Sequence, residues 1–180
     1  MPLPLPPLRL TGAMILRDGS MQQRSLCFAE GRIARGPLPE VDLSGFLVLP
    51  GIIDLHDDGF ERHMAPRPSA HLPLAAGLAS FDREAASHGV TTAYLAQGWS
   101  WEGGHRGPDH AEALMSALDQ YRPQALTDLR LQIRAETHLV GEAERLIAAV
   151  QRHRIGFVVF NDHLLEGQHM ARIAPTDFAA

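Results

Sequence analysis

The chain has 180 residues, of which 45% are hydrophobic and 21% charged, and its formal net charge is −5 at pH 7. This composition is typical of a globular protein of one or two domains, and it argues against nucleic-acid binding through a basic surface. All 16 basic residues are arginine, and Cys27 is the single cysteine, which excludes a disulfide framework. No apolar run approaches the roughly 20 residues of a membrane helix, and the proline-rich start is a poor signal peptide, so we expect a soluble cytoplasmic protein without membrane partners.

The first part of the chain has the pattern of short strands joined by turns. Asp18-Gly19 and Glu30-Gly31 are residue pairs that favour hairpin turns. We therefore predict a small β-sandwich-like segment over residues 1–46. An N-terminal hairpin packed on the main domain is the alternative.

From residue 46 onward, strand and helix patterns alternate. The pattern predicts helices within 72–89, after an N-cap at Asp109, and at 142–154, and it predicts strands at 46–56, 90–97, 128–138 and 155–163. Such an order calls for a parallel sheet with helices outside it. No strand-to-helix junction carries a glycine-rich nucleotide-binding motif. We interpret residues 47–180 as the first half of a (β/α)8 barrel, because a whole one has eight strands and typically about 250 residues.

Polar side chains follow three of the predicted strands at the point where each strand ends. His56 and Asp58 end the first, Glu136 and His138 the third, and His163 the fourth. Barrel enzymes carry their sites at this end of the strands, and residues two apart on a strand share a face. Imidazole and carboxylate groups together suit a divalent metal, with Zn²⁺ expected and Mn²⁺ or Fe²⁺ as alternatives, in one or two ions.

Several residues near these strand ends have more than one interpretation. Glu136 could form a buried pair with Arg134 instead of binding metal, and His138 could be a ligand, an outer-shell donor or a substrate contact. Arg67 follows one proline and precedes another, so its guanidinium is either a phosphate contact or part of a rigid surface loop. We expect the remaining histidines to be solvated or partly packed: His71, His88, His105, His110, His153 and His169.

The stretch "LVLPGIIDLHDDGFERHMAPRP", residues 47–68, resembles the opening of the amidohydrolase superfamily. In its full length it is similar to the branch of α-D-ribose 1-methylphosphonate 5-triphosphate diphosphatases of phosphonate catabolism. The stretches "HGVTTAYLAQ", "LRLQIRAETH" and "FVVFNDH" resemble the same branch in order and spacing, so the resemblance covers roughly residues 8–170. It implies hydrolysis of a phosphorylated sugar substrate to the 5-phosphate and pyrophosphate by metal-activated water.

The resemblance also implies roles for individual residues. Glu136 would be the catalytic carboxylate that contacts or bridges the metals, and the absence of lysine excludes the carboxylated lysine of many relatives. The metal ligands would be His56, Asp58, Glu136 and His163, and the substrate contacts would be Arg67 and His63.

Two departures from the branch qualify this interpretation. Gly59 stands where the branch usually has Asn. The family also continues for about as many residues again, with another His ligand and an Asp that accepts a proton. We therefore expect a fragment or a truncated product. A half-barrel would either fold poorly or pair with another copy as a homo-oligomer. The alternative functions are amidohydrolase chemistry on C–N bonds and an inactive fragment.

Overall fold

A computed structural model describes residues 5–67 and 70–163. The chain divides into two compact units, Met1–Ile52 and Ile53–Ala180. The predicted domain boundary at 46/47 falls within the last part of the first unit.

The first unit is made of short strands in two small sheets. They are β1 (Leu8–Thr11), β2 (Met14–Arg17), β3 (Ser20–Gln23), β4 (Leu26–Ala29), β5 (Arg32–Ala34), β6 (Glu40–Asp42) and β7 (Leu47–Val48). One sheet has the order β5-β4-β1-β6 and the other β3-β2-β7. Both predicted hairpin turns are confirmed, because Asp18 and Gly19 have φ of 50° and 76° and Glu30 and Gly31 have φ of 53° and 70°. Two successive left-handed residues match the twist of the flanking strands.

The second unit is an α/β arrangement around a four-stranded sheet. Its strands are β8 (Ile52–Asp57), β9 (Val90–Trp99), β10 (Asp128–Glu136) and β11 (Phe157–Asn161), and its helices are α1 (Glu61–Met64), α2 (Leu74–Ser87), α3 (Pro108–Tyr121) and α4 (Ala143–Arg152). The sheet order is β8-β9-β10-β11, and β10 is parallel to both of its neighbours. The prediction of a parallel α/β sheet is confirmed, whereas closure into an eight-stranded barrel stays a prediction.

The structure tests three local predictions, for the strand at 46–56, the start of α3 and the end of α2. Residues 46–56 were predicted as one strand, but β7 and β8 are separate, with Pro50 between them, because proline has no N–H for a ladder. Asp109 is not the N-cap of α3: the cap is Gly107, Pro108 takes the first helical position, and the Asp109 carboxylate contacts Arg145 at 2.6 Å. Gly89, with φ of 80°, does follow the end of α2 as predicted.

The core of the second unit lies between the sheet and the helices α2 and α3. Its fully buried side chains include Leu78, Leu95, Trp99, Leu114, Leu118 and Ile133. These residues come from β9, β10 and the two helices, and they fix the strand ends that carry the polar residues. By contrast, the apolar residues 47–55 suggest a strand that is covered on both faces, yet Ile53 and Leu55 are 62% and 58% exposed. That interpretation is wrong for the described residues, in which β8 is an edge strand.

None of the helices in the described ranges has the length and hydrophobicity needed to cross a lipid bilayer.

Candidate active site

The first pair of predicted site residues lies at the end of β8. His56 Nε2 is 3.3 Å from Asp58 Oδ2, as expected for residues two apart at a strand end, and both side chains are about half exposed. Arg134 on β10 donates through Nη1 to Asp58 Oδ1 at 3.2 Å. Arg134 therefore reaches Asp58, rather than forming the pair with Glu136 that was the alternative interpretation. This bond links the ends of two strands of the sheet.

The second pair joins the ends of β10 and β11. Glu136 is 7% exposed, and its carboxylate accepts two hydrogen bonds from His163. The ring Nδ1 of His163 bonds to Oε1, and the backbone N–H donates to Oε2 at 3.2 Å. A further backbone bond from Thr137 N–H to the Asn161 carbonyl, 2.9 Å long, continues the contact between the two strands beyond β10. The predicted proximity of Glu136 and His163 is thus present in the fold.

A cavity of about 360 Å³ opens at these strand ends. Glu136 and His163 line it together with Arg134, Arg106 and Glu61. A hydrogen bond from Arg106 to Glu102, 3.1 Å long, is the main cause that raises the pKa of Arg106, so this side chain stays cationic. Two guanidinium groups in a cavity with a buried carboxylate can hold and polarise an anionic group.

Sequence reasoning missed Arg106, which belongs to the loop between β9 and α3. The backbone N–H of Ser100 donates to the Arg106 carbonyl at 2.9 Å, which folds this loop back onto the end of β9. Gly98 allows the close approach, because a Cβ there would lie 3.1 Å from the same carbonyl oxygen. The glycines of "GWSWEGGHRGP" were the available signal, but they indicate a tight loop without indicating what it carries.

The donor types at this rim suit a divalent cation, since imidazole nitrogen and carboxylate oxygen are ligands of Zn²⁺, Mn²⁺ and Fe²⁺. They are arranged as two pairs, His56 with Asp58 and Glu136 with His163. Across residues 5–67 and 70–163, no three His, Cys, Asp or Glu side chains gather closely enough to hold an ion as they stand.

His138 adds a second imidazole near Glu136, beside that of His163. Its Nδ1 lies 3.8 Å from Glu136 Oε2, and neither buried ring nitrogen has a hydrogen-bond partner among the described residues. Buried polar atoms are normally paired, so this imidazole has unused bonding capacity beside the carboxylate. The nitrogen and oxygen donors at this rim are chemically suited to a divalent cation. His138 as a ligand, an outer-shell donor or a substrate contact stays a prediction.

The two predicted substrate contacts have different surroundings. His63 packs against α2: its Nδ1 is 2.9 Å from Ser80 Oγ, its Nε2 is 3.3 Å from Glu84 Oε2, and its ring meets the edge of Phe81. Both ring nitrogens of His63 are thus occupied within the fold, and its role toward a substrate stays a prediction. Arg67 is exposed and lines a second cleft.

Histidine–carboxylate pairs at the carboxyl ends of parallel strands, with arginines around a cavity, are typical of α/β enzymes whose loops build the site. Comparison with curated proteins also indicates that the chain belongs to an enzyme. Over 159 residues the chain is 27% identical to the alpha-D-ribose 1-methylphosphonate 5-triphosphate diphosphatase of Escherichia coli (strain K12), a hydrolase by its name. The match covers 86% of this chain, which spans 40% of that relative's length. It confirms the resemblance predicted from the sequence. No family model matches the chain.

Proposed function

We propose that this chain contributes to a metal-dependent phosphoanhydride hydrolase of phosphonate catabolism, with a triphosphorylated ribose phosphonate as substrate. The observation that carries the proposal is the match to the Escherichia coli diphosphatase over 159 residues, which is 86% of this chain. The two arginines in the cavity beside Glu136 support a polyanionic substrate. A neutral amide carries no anionic oxygen for these guanidinium groups to bind.

The residues that would hold the cation are His56, Asp58, Glu136 and His163. When bound, a divalent metal lowers the pKa of water and offsets charge on phosphate oxygens. In both pairs the donor groups now contact each other, so these contacts would be exchanged for bonds to the ion. Arg134 fixes Asp58 from β10 and would keep that carboxylate in place during the exchange.

The reaction would break one phosphoanhydride bond. The oxygen of water would bond to the α phosphorus, and the bond from that phosphorus to the oxygen that bridges to the β phosphorus would break, with its electron pair leaving on pyrophosphate. The proton of the water would pass to Glu136, which is the buried carboxylate of the cavity. Arg106 and Arg134 would balance the charge that develops on the phosphoryl oxygens.

Replacing the two central residues tests this proposal. We expect Glu136→Gln and His56→Ala, each introduced into the full-length enzyme to which this chain contributes, to lower the rate of pyrophosphate release from ribose 1-methylphosphonate 5-triphosphate by roughly 100-fold or more, the usual order for a positioned catalytic group. Arg83→Ala is the matched control, because Arg83 is exposed on α2 and bonds to the Ala79 carbonyl of its own helix. Unchanged turnover in both site variants would refute the proposal.

Hydrolysis of a cyclic amide is the comparison assay for the alternative chemistry. If the wild-type chain opened a cyclic amide and released no pyrophosphate from the triphosphate, C–N hydrolysis would replace the proposal. Circular dichroism of each variant establishes that a lost activity is not lost folding.

A further inference from the structure

Three histidines that we expected from the sequence to be solvated or partly packed line one cleft. His71 precedes α2, His105 lies in the loop before α3, and His110 lies in the first turn of α3. Arg67 lines the same cleft, whose volume is about 540 Å³. This volume is in the range of small-molecule binding sites.

The loop that brings His105 into the cleft is held by a buried side chain. Gln97, at 2% exposure, donates through Nε2 to the His105 carbonyl at 2.8 Å and to the Gly98 carbonyl at 2.9 Å. One of these bonds joins the buried amide to the loop and the other joins it to the end of β9, so the amide attaches the loop backbone to the strand. Gln97 also lines the cleft, so the end of β9 forms part of its wall. The position of His105 is therefore determined by the core of the unit.

The charged groups around the cleft leave Arg67 as its available cation. Arg62 forms an ion pair with Glu84 on α2, and Glu61 faces His105 with Oε2 3.8 Å from the imidazole Nε2. In the described part of the chain, the Arg67 guanidinium forms no ion pair. The guanidinium and the three imidazoles each offer N–H donors, and Glu61 is the one carboxylate among the described residues that line the cleft. Guanidinium and imidazole N–H groups are donors that recognise phosphate oxygens.

The surroundings of His110 are compatible with an anion site. Burial, and then the nearby His105 and His71, lower the pKa of His110. A bound anion would favour the protonated form of His110 and so would raise that pKa. The first turn of an α-helix also favours negative charge, and His110 is in that turn of a 14-residue helix.

The cleft adjoins the cavity that contains Glu136. Glu61 lines both, and the consecutive residues His105 and Arg106 face one each. An extended ligand can therefore have its reacting bond in the cavity and a charged tail in the cleft.

We propose that the cleft formed by Arg67, His71, His105 and His110 is a polyphosphate-binding subsite, which holds the pyrophosphate end of the substrate. This inference rests on the proposed function only for the identity of the substrate. The cleft itself would bind inorganic pyrophosphate whether or not the chain hydrolyses a triphosphate.

Calorimetric titration of the chain with inorganic pyrophosphate, in the absence of added metal, tests the subsite. We expect Arg67→Ala and His105→Ala each to weaken binding by roughly 10-fold or more, which is the order for losing a hydrogen bond to a charged group. Both side chains are exposed, so these variants should fold. The controls are Arg83→Ala and His153→Ala, since Arg83 lies on the surface of α2 and His153 pairs with Asp119 at the end of α4.

The outcomes separate this inference from the proposed function. Loss of pyrophosphate binding in the cleft variants but not in the controls supports the subsite, even if the wild-type chain releases no pyrophosphate from the triphosphate. Binding that is absent in the wild type, or equally weakened in the controls, overturns it. Turnover of the triphosphate with an unchanged KM in Arg67→Ala would also overturn the subsite while leaving the hydrolase proposal intact.

Discussion

Asp82 is the residue whose replacement should cost this fold the most stability. It is fully buried on α2, and its carboxylate accepts four hydrogen bonds. Oδ2 accepts from Tyr121 Oη at 2.9 Å and from Leu126 N–H at 2.7 Å, while Oδ1 accepts from the N–H and the hydroxyl of Thr127 at 2.9 and 2.5 Å. Asp82 thereby attaches α2 to the end of α3 and to the segment that leads into β10, the strand of Glu136.

The size of the effect follows from these four bonds. Asp82→Ala removes the carboxylate and leaves the buried donors of Tyr121 and Thr127 without a partner, each at about 1–3 kcal/mol. Loss of the buried charge offsets part of this cost, so we expect a net decrease of about 3–5 kcal/mol in the free energy of unfolding. Asp82→Asn keeps one acceptor oxygen and turns an NH₂ group toward two donors, so we expect about half of that decrease.

Urea unfolding measures the free energy of unfolding, and the m-value of each variant should equal that of the wild type. The control is Asp128→Ala, because Asp128 pairs with Arg130 on the surface, and such pairs contribute about 0.2–1 kcal/mol. Ultraviolet titration gives a second readout: burial, and then the hydrogen bond to Asp82, raise the pKa of Tyr121 to about 12, and Asp82→Asn should lower it toward 10. The raised pKa favours neutral Tyr121 in the folded state, so stability should fall between pH 10 and 12. An Asp82→Ala cost equal to that of Asp128→Ala would refute this reasoning.

Three further predictions concern packing, the cleft and its loop. Gly77→Ala should destabilise the chain by about 1–3 kcal/mol in urea, because a Cβ would lie 2.8 Å from the backbone oxygen of His63 and would also meet Met64 Sδ. Gly141→Ala, with open space around its Cβ, should not. His110 should titrate below pH 6.5 in NMR spectra, because its pKa is lowered. Its contribution to stability is therefore present above pH 6.5 and is lost as the pH falls through the lowered pKa. Bound pyrophosphate should raise that pKa. A His110 titration at or above 6.5 without ligand would contradict this. Gln97→Leu should weaken pyrophosphate binding by about fivefold, the equivalent of one hydrogen bond of about 1 kcal/mol, and unchanged affinity would mean that the loop holds its position without it.

Much of the second unit could be predicted because its signals are local. The alternation of strand and helix patterns, the hairpin pairs Asp18-Gly19 and Glu30-Gly31 and the glycine at 89 each depend on the backbone preferences of a few neighbouring residues. The grouping of polar residues at strand ends followed from the same alternation. The break at Pro50 could have been predicted too, since a missing N–H is also a local property.

The partners of those polar residues depended on long-range contacts. Strand parity places Arg134 and Glu136 on one face and suggests that they pair, but the fold instead brings Arg134 to Asp58, 76 positions away. Likewise His71, His105 and His110 come from separate segments, and only the loop held by Gln97 and the start of α3 bring them to one cleft. Periodicity in a sequence sets which face of an element a side chain occupies, whereas packing between elements sets which side chains meet, because that choice is made by core volume and loop closure across the whole unit.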